Sequence, residues 1–431
     1  NLGTPLTLYK PTIIAADDIT PSQFLSLDRQ YLQGMVLAQT GRTSHTLILA
    51  RSFGIPVLSG IELEALQQLD DKDVFIDAQF GVLVTEPSDD VRHYFAVAMQ
   101  LEEKNRIRQL KMADLPAVTR DGRCLAIGAN IGTAQEAPAA FTHGAEGVGL
   151  FRTEMLFMDR DKAPDEQEQF EAYQQVLMNA DNHPVIFRTM DIGGDKELKC
   201  LDLPSEMNPF LGYRAIRISL NRPDIFKVQL RALLRASAFG DIHIMYPMIA
   251  SVEEVKQAND MLSECKTELA AEGKDFNKDI KVGIMIEVPA AAVISPILAK
   301  YVDFFSIGTN DLCQYTLAVD RMNEAIGSLY QPLHPGVLRL IKHVIDASHE
   351  QGKFTGMCGE LASDPVATMI LLGLGLDEFS MTASSIPLIK NILRSVSKAE
   401  CEEVANKALT MDTAEEITEY AKSVLAEKGL L

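Results

Sequence analysis

An amide and a carboxylate side chain follow a short apolar run in the second half of the sequence. The run from Phe304 to Ile307 predicts a buried parallel strand, and the chain breaks at Gly308 directly after it. Asn310 and Asp311 come next, at the point where that strand stops. Oxygen ligands of this kind suit a hard cation together with an anionic ligand. The alternative is that the two side chains cap the following helix, and this dipeptide alone leaves both interpretations open.

Other predicted strands of the larger domain also end in ionisable side chains. The residues that follow the second, third, fifth, sixth and seventh of these strands are Arg152, Thr153 and Glu154; Arg188, Asp191 and Lys196; Glu287; Asn310, Asp311 and Arg321; and Cys358, Gly359 and Glu360. In a barrel of parallel strands the carboxyl ends meet at one rim, so these side chains would converge there. A cluster of so many charged side chains, with several arginines and a lysine among them, needs a compensating ligand. The pattern indicates an anion site with a metal.

Glu287 and Asp311 are the candidate metal ligands. They come from neighbouring predicted strands. Mg²⁺ typically binds one or two protein carboxylates, keeps some waters and bridges to a substrate phosphate. The alternative role of both carboxylates is an ion pair with the neighbouring arginines. We expect the metal role.

Four arginines are candidates for binding the anion. Arg152, Arg188 and Arg321 offer planar forks of N–H donors that match carboxylate and phosphate oxygens. Arg214, in the stretch NPFLGYRAIR, is the fourth. For any one of them taken alone, a structural salt bridge is the alternative explanation.

Cys358 lies between Met357 and Gly359 at the end of a predicted strand. This strand-end position makes its thiol a candidate acid or nucleophile. The alternative is an inert core cysteine, which such apolar surroundings also favour.

A second candidate for chemistry, His45, lies far from these stretches in the sequence. Thr43 and Ser44 are suited to cap a short predicted helix from Leu47 to Arg51, so His45 is expected at a helix amino terminus. Exposed backbone N–H groups and the helix dipole would stabilise a phosphoryl group on that imidazole. The alternative is an ordinary surface or capping histidine.

Eight short, mostly apolar runs separated by helical stretches make up the larger domain. They are Cys124 to Ala129, Gly147 to Phe151, Val185 to Thr189, Ile242 to Tyr246, Val282 to Ile286, Asp303 to Ile307, Phe354 to Met357 and Asp377 to Phe379. Repeated βα units of this number predict an α/β fold with a closed (β/α)₈ barrel. An open doubly wound sheet is the alternative, because the insertion between the third and fourth runs is long.

The segment before the barrel predicts a small α/β domain and a helical linker. Five short apolar runs separated by turn residues occupy residues 1–87. From Ser88 to Met112 the chain carries helix formers, an acidic first turn, a basic last turn and no interior Gly or Pro. We therefore predict domains at residues 1–87 and 117–431, joined by a linker helix within 88–116.

Composition limits the partners. The 431 residues carry a formal net charge of -20, which argues against nucleic acid or an anionic membrane surface and favours a partner protein with a basic docking face. Six cysteines show no paired spacing, so a reducing compartment is expected. No apolar run approaches the roughly 20 residues that cross a bilayer, and no signal peptide is visible, so a cytoplasmic protein is expected.

Together these stretches resemble enzyme I of the bacterial sugar phosphotransferase system, a phosphoenolpyruvate-dependent protein kinase that phosphorylates itself on histidine. The shared motifs, in the family's order over essentially the whole chain, are GRTSHT, GLFRTE, RTMDIGGDK, NPFLGYRAIR, IEVPAA, SIGTNDLCQYTLAVDR and MCGELA. Phosphoenolpyruvate synthases and pyruvate phosphate dikinases share some of them. However, TNDLCQYTLAVDR with Asn323 two residues after it, and the form MCGELA, look closest to enzyme I. The parent could be a single enzyme I or the enzyme I-like part of a multiphosphoryl transfer protein.

The resemblance implies a role for each candidate residue. His45 would accept the phosphoryl group through Nε2, Cys358 would protonate the methylene carbon of the enolpyruvate, and Glu287 and Asp311 would hold Mg²⁺. The residues implied in binding phosphoenolpyruvate are Arg152, Arg188, Asn310, Asp311, Arg321, Lys196 and Arg214. His45 would belong to a small swivelling domain that visits the barrel rim, with the linker helix as its arm.

The resemblance also implies partners. The phosphoryl group would pass on to a histidine of an HPr-like phosphocarrier for sugar uptake, and the barrel would pair as a homodimer. The family's helical subdomain that docks HPr has no counterpart in this chain, so transfer to HPr is an open question at this point. Nothing in the sequence tells which sugar system is served.

Two other functions stay open. A dikinase or synthase fragment would charge its histidine from a nucleotide, although no P-loop or Gly-rich phosphate loop is present. A non-catalytic module that only senses phosphoenolpyruvate is the other possibility.

Overall fold

The structure is a computed structural model that describes residues 6–38, 45–194 and 198–431. The chain forms two compact units, Asn1–Lys111 and Met112–Leu431. Among the described residues, no helix is long and apolar enough to cross a membrane.

The first unit is a small α/β domain. Its strands are β1 Thr12–Ala16, β2 Leu32–Leu37, β3 Val57–Ser59, β4 Val74–Asp77 and β5 Val82–Thr85, and its helices are α1 Pro21–Ser26, α2 His45–Ser52, α3 Leu63–Gln67 and α4 Asp89–Ala113, whose last turn crosses into the second unit. Strands β1, β2 and β3 form a parallel sheet in that order, and β4 pairs with β5 as an antiparallel hairpin. The mixed architecture confirms the predicted class of this domain.

Helix α2 begins at His45 and runs to Ser52, one to two residues beyond each end of the predicted segment. The buried hydroxyl of Thr46 donates to the backbone oxygen of Ile19 at 2.6 Å, which ties the first turn of α2 to the loop before α1. The predicted caps, Thr43 and Ser44, lie outside the described residues.

Two cations of the second unit hold the segment at the carboxyl end of α4. Lys390, 1% exposed, donates from Nζ to the backbone oxygens of Ala113 and Gly144, both at 2.9 Å. Arg394 donates to the backbone oxygen of Pro116 at 2.6 Å. Carbonyls at a helix end lack partners within the helix, and cations interact favourably there. These contacts lie within the second unit, to which Ala113 and Pro116 belong.

The second unit is a closed barrel of eight parallel strands in the order β10-β11-β12-β13-β6-β7-β8-β9. Its strands are β6 Ala126–Ile131, β7 Val148–Arg152, β8 Val185–Arg188, β9 Ile242–Tyr246, β10 Lys281–Ile286, β11 Phe304–Ile307, β12 Phe354–Met357 and β13 Glu378–Met381. Closure confirms the predicted barrel and rules out the open sheet. The first barrel strand starts two residues later than predicted, because Cys124 instead forms an isolated antiparallel bridge with Val118.

Helices follow the strands around the outside of the barrel. They are α5 Ala137–Thr142, α6 Glu166–Asn179, α7 Ile216–Asn221, α8 Pro223–Ala236, α9 Val252–Ala271, α10 Pro289–Val293, α11 Ser295–Leu298, α12 Thr309–Leu317, α13 Pro335–Glu350, α14 Pro365–Gly373, α15 Ile386–Ser395, α16 Lys398–Ala408 and α17 Ala414–Glu427. Short 3₁₀ helices span Ala134–Glu136, Thr153–Phe157, Pro209–Leu211, Glu324–Leu329, Glu360–Ser363 and Ala383–Ser385. The main apolar core lies between this helical layer and the strands.

The barrel interior has an apolar side and a polar side. The apolar side is a cluster formed by Leu150, Ile186, Met245, Met285, Phe304 and Cys358. The polar side carries Glu378 and Ser380, both on β13. Glycine at position 149 makes room for them, because a Cβ there would lie 2.3 Å from Ser380 Oγ and 2.7 Å from Glu378 Oε1. The interior thus holds the Glu378 carboxyl close to the buried hydroxyl of Ser380.

Burial raises the pKa of Glu378 to about 7, and repulsion from Glu146 and Asp377 acts in the same direction. The folded protein therefore favours the neutral carboxylic acid at this position.

Replacement of Glu378 by Gln is expected to change the pH dependence of stability. Since the folded-state pKa lies above the ordinary value of 4.5, the neutral acid carries no penalty at low pH, and ionisation destabilises the fold as pH rises from 4.5 to about 7. Glu378→Gln should match the wild type near pH ~4 and exceed it by up to ~3 kcal/mol above pH ~7. Urea unfolding across this pH range measures the difference.

The exposed Glu350, at the end of α13, provides the control. Glu350→Gln should show no such pH-dependent gap. If the stability difference between Glu378→Gln and the wild type does not change with pH either, the Glu378 carboxyl ionises as freely as one on the surface.

Candidate active site

Arg188, the last residue of β8, is buried between two carboxylates. Its Nη2 donates to Glu154 Oε1 at 2.7 Å, and its Nη1 lies 3.4 Å from Asp191 Oδ2. Glu154 lies in the turn after β7, and the backbone N–H of Asp191 also donates to it at 3.1 Å. Burial alone would lower the pKa of Arg188, but Glu154 and Asp191 raise it above its ordinary value. Arg188 is a fixed cation.

Arg214, in the long insertion after β8, reaches the same rim. Its Nη2 lies 3.1 Å from Asp191 Oδ1 and 3.4 Å from Asp311 Oδ2, and its Nη1 donates to the hydroxyl of Tyr315 at 3.1 Å. Burial opposes its charge, but Asp191 and Asp311 raise the pKa of Arg214 well above its ordinary value. Asp191 thus contacts both buried arginines.

Asn310 and Asp311 lie in the first turn of α12 and do not cap it. The residue at the N-cap position is Gly308. The side-chain oxygen of Asn310 instead accepts from the backbone N–H of Glu360 at 3.0 Å, which joins the ends of β11 and β12. The carboxylate of Asp311 contacts the guanidinium of Arg214, as described above. The capping interpretation of this dipeptide is wrong.

Glu287 follows β10 and is 1% exposed. Its Oε1 accepts from the backbone N–H of Met248 at 2.7 Å. A Cβ on Gly308 would lie only 3.1 Å from Glu287 Oε2, so the chain approaches this carboxyl at a glycine. Burial raises the pKa of Glu287 to about 8, and repulsion from Asp311 and Asp191 acts in the same direction.

Two site contacts depend on unusual backbone. Met248, which donates to Glu287, has φ 57°, and Ala215, which follows Arg214, has φ 52° and ψ -124°. Residues with a Cβ rarely adopt positive φ, and each such position typically costs about 1–3 kcal/mol. The backbone N–H of Ala215 donates to the oxygen of Ile192 at 2.8 Å, which holds this turn against the loop after β8.

Cys358 follows β12 and is 7% exposed. The hydroxyl of Ser306 donates to its Sγ at 3.4 Å, and Sγ lies 3.9 Å from the backbone oxygen of Ile307. Burial raises the pKa of the Cys358 thiol to about 11. The sulfur therefore holds its proton near neutral pH and is suited to act as an acid.

Arg152 and Arg321 complete the set of predicted arginines. Arg152 ends β7; burial lowers its pKa, while the carboxylates of Glu136 and Glu154 act in the opposite direction. Arg321 follows α12, and its backbone N–H donates to the side-chain oxygen of Gln314 at 3.0 Å. Both side chains are half-buried.

Several buried polar atoms of the rim have no hydrogen-bond partner among the described residues. They are the Nε atoms of Arg188, Arg214 and Arg321, Thr309 Oγ1 and Asp311 Oδ1. A buried polar group without a partner is costly, so such groups usually face a ligand, an ion or water. Here guanidinium donors suit an anion, and a carboxylate oxygen suits a cation.

The carboxylates fit a magnesium ion. No group of three or more His, Cys, Asp or Glu suited to a metal occurs in the part of the chain that the structure describes. Mg²⁺ does not need one, because it is commonly held by one or two carboxylates, waters and substrate phosphate. Glu287 and Asp311 repel each other, and Asp311 Oδ1 is buried with no partner in the described part of the chain, so a divalent cation would relieve both conditions.

Two predicted residues remain to be reported, His45 and Lys196. His45, half-buried at the start of α2, belongs to the first unit. Lys196 lies outside the described residues. The other predicted side chains follow strands of one barrel at their carboxyl ends.

Four residues support this rim in roles that sequence reasoning did not assign; it placed Glu154 and Asp191 at the rim without a role, and it did not single out Met248 or Ser306. Glu154 and Asp191 pair with the buried arginines, Met248 donates to Glu287, and Ser306 contacts the thiol. Ser306 carried a usable signal, since it is the polar residue of an apolar strand. The role of Met248 is a backbone role, which its side chain cannot indicate.

The pairing of Glu154 with Arg188 gives a stability prediction. Glu154→Ala leaves a buried guanidinium without its 2.7 Å partner, and breaking a buried pair typically costs about 3–5 kcal/mol. The exposed pair of Arg160 with Glu168 is the control, because Glu168→Ala should cost under about 1 kcal/mol. Urea unfolding measures both. Equal losses would mean that Arg188 does not depend on Glu154.

Comparisons with known proteins agree with this arrangement. The family model described as "PEP-utilising enzyme, PEP-binding domain" matches residues 106–398, more than half of the chain. The model described as "PEP-utilising enzyme, mobile domain" matches residues 8–81. The two matched regions fall in the barrel unit with the end of α4, and in the small α/β unit.

Curated relatives carry two names. The multiphosphoryl transfer protein of Escherichia coli O6:H1 is 51% identical over 412 residues, which are 96% of this chain and 50% of that protein. The phosphoenolpyruvate-protein phosphotransferases of Haemophilus influenzae and Staphylococcus carnosus are 50% and 47% identical, over 98% of this chain and 74% of each relative. The chain spans about half the length of the multiphosphoryl transfer proteins that it matches. The chain belongs to the family of phosphoenolpyruvate-utilising enzymes, as an enzyme I-like member.

Proposed function

We propose that this chain is a phosphoenolpyruvate-protein phosphotransferase that moves the phosphoryl group of phosphoenolpyruvate to its own His45 and releases pyruvate. The observation that carries the proposal is a set of buried guanidinium donors at the barrel rim, and a buried carboxylate oxygen, that have no hydrogen-bond partner among the residues that the structure describes. Such a site suits a polyanion that carries both a phosphate and a carboxylate. The names of the relatives support the same substrate.

The rim arginines bind and orient the substrate. Arg188 and Arg214 keep two carboxylate partners each, so their remaining donors are held in position before the ligand arrives. Arg152 and Arg321, half-buried, add positive charge at the same rim. Preorganised donors of this kind stabilise charge that develops on a transferring phosphoryl group, because they need no reorientation. Asn310 and Lys196 are further candidates for the substrate's oxygens.

Glu287 and Asp311 would hold the magnesium ion. When bound, it supplies neutralisation of the phosphoryl oxygens. Ionisation of Glu287, opposed by burial in the free site, becomes favourable beside a divalent cation.

His45 is the proposed acceptor, through Nε2. Its place as the first residue of α2 puts it beside backbone N–H groups that favour a negative phosphoryl group. Attack requires the imidazole to reach the phosphorus in line with the bond that breaks. From His45 the phosphoryl group would pass to the histidine of a phosphocarrier protein of the sugar phosphotransferase system.

Cys358 is the proposed proton donor. Loss of the phosphoryl group leaves an enolate, and the carbon of its methylene group must gain a proton to become the methyl group of pyruvate. A thiol whose pKa is raised to about 11 by burial keeps the proton until this strong base forms.

His45→Ala should abolish phosphorylation and leave substrate binding intact. Incubation with labelled phosphoenolpyruvate and Mg²⁺ should place acid-labile label on the wild type and none on the variant, because the acceptor nitrogen is gone. The dissociation constant for phosphoenolpyruvate, measured by calorimetry, should change less than about threefold, since all the proposed substrate-binding residues belong to the barrel unit.

His93→Ala, an exposed histidine on α4, is the control and should label fully. Full labelling of His45→Ala would contradict the acceptor assignment. Label that requires ATP would support a dikinase-type reaction, and binding without label would support a sensing module.

Removal of the metal should stop the transfer, and loss of either proposed ligand should raise the metal requirement. Glu287→Gln and Asp311→Asn should each need at least about tenfold more Mg²⁺ for half-maximal labelling, which corresponds to about 1.4 kcal/mol. Glu350→Gln should titrate like the wild type. If both site variants also do so, these carboxylates do not hold the ion.

A further inference from the structure

The hydroxyl of Ser306 is aimed at the sulfur of Cys358. Ser306 is 3% exposed, and its Oγ donates to Cys358 Sγ at 3.4 Å. The strand register builds this contact. Ser306 on β11 is paired with Gly356 on β12, and Cys358 lies two residues further along the same side of the barrel. The backbone N–H of Cys358 donates to the oxygen of Ile307 at 3.2 Å. This bond holds the backbone of Cys358 beside β11, next to Ser306.

Ser306 is unusual for its strand. The other residues of β11 are Phe304, Phe305 and Ile307, all apolar. A hydroxyl buried in such surroundings costs free energy unless it forms a hydrogen bond. At position 356 a Cβ would lie 3.2 Å from Glu378 Oε1, so glycine there keeps the interior next to Ser306 open. The buried hydroxyl of Ser306 thus has its hydrogen-bond partner in the thiol of Cys358.

The charged side chains around the sulfur act in opposite directions on its ionisation. Arg188 favours a thiolate at Cys358, whereas Glu287 and Glu378 oppose it. Arg152 also lies within electrostatic reach of the sulfur. These groups lie on β7, β8 and β13 or directly after β10, and the thiol lies directly after β12. A hydrogen bond donated directly to sulfur stabilises the thiolate more than the thiol, because bonds to charged acceptors are stronger.

We propose that Ser306 is a positioning residue that supports proton donation by Cys358, by directing the thiol and donating a hydrogen bond to the thiolate that remains. This proposal rests on the function proposed above. In the step, the π electron pair of the enolate forms a C–H bond with the thiol proton. The S–H bond breaks, and its electron pair stays on sulfur as the thiolate. The Ser306 proton stays on oxygen, and the thiolate later regains a proton from solvent.

Ser306→Ala removes the donor and should affect the thiol and the proton step together. Loss of a hydrogen bond to a charged acceptor predicts a decrease of about 10- to 100-fold in thiolate fraction at a given pH. Alkylation of Cys358 by iodoacetamide between about pH 7 and pH 9, without metal, should slow by that factor. Peptide mass spectrometry assigns the modified cysteine. Exchange of pyruvate methyl protons with deuterated water, the proton step in reverse, should slow at least about tenfold.

Two further variants make the test specific. Ser306→Thr keeps the hydroxyl and should restore both rates to within about threefold of the wild type. Ser348→Ala removes another buried serine hydroxyl, which lies 2.6 Å from Thr355 Oγ1 on the other face of β12, and should change neither rate. If Ser306→Ala does not fold, as judged by thermal melting, Ser306→Gly removes the same donor in an interior that already contains glycines.

The outcomes separate this inference from the proposed function. Labelling of wild-type His45 by phosphoenolpyruvate tests the proposed function itself. If the wild type labels, but removal of the Ser306 hydroxyl leaves both alkylation and exchange unchanged, the role of Ser306 is wrong and the phosphotransferase function stands. Equal slowing in Ser306→Ala and Ser306→Thr would also overturn it, because the effect would then come from packing and not from the hydroxyl.

Discussion

The rim of the barrel depends on the balance of charge around Asp191. This buried carboxylate contacts both Arg188 and Arg214, so it lets two guanidinium groups lie side by side away from water. Without such a counter-ion, burial would oppose both positive charges. Glu154 and Asp311 add one carboxylate contact to each arginine. The protein thus keeps cations in a buried site and leaves their Nε donors unused among the described residues.

The charge of one acidic group at the rim, Glu287, is not balanced in this way. Glu287 is held by one backbone donor and repelled by Asp311 and Asp191, and burial favours its neutral form. The site is therefore arranged for charge that arrives from outside, as an anion near the arginines and a cation near the carboxylates. A set of groups stabilised only by each other would show fewer unpartnered atoms.

Much of this architecture could be predicted from the sequence, because it follows from local patterns. The apolar runs that alternate with helical stretches predicted all eight barrel strands, and the residues after them predicted the rim. The first strand was predicted to start two residues too early, because Cys124 pairs with Val118 in a short antiparallel bridge that local hydrophobicity does not reveal. Which carboxylate meets which arginine, and the contact of Ser306 with sulfur, depend on barrel register and stagger. These appear only when the sheet closes.

The positive φ angles at Ala215 and Met248 bear on how this protein could be made more heat resistant. Glycine adopts that backbone freely, so a laboratory selection on melting temperature alone could favour glycine at either place. Yet these two residues lead directly to the Arg214 guanidinium and the hydrogen bond on Glu287. A more flexible backbone there would hold both groups less firmly in position. We therefore expect variants with such changes to gain thermal stability and to lose turnover.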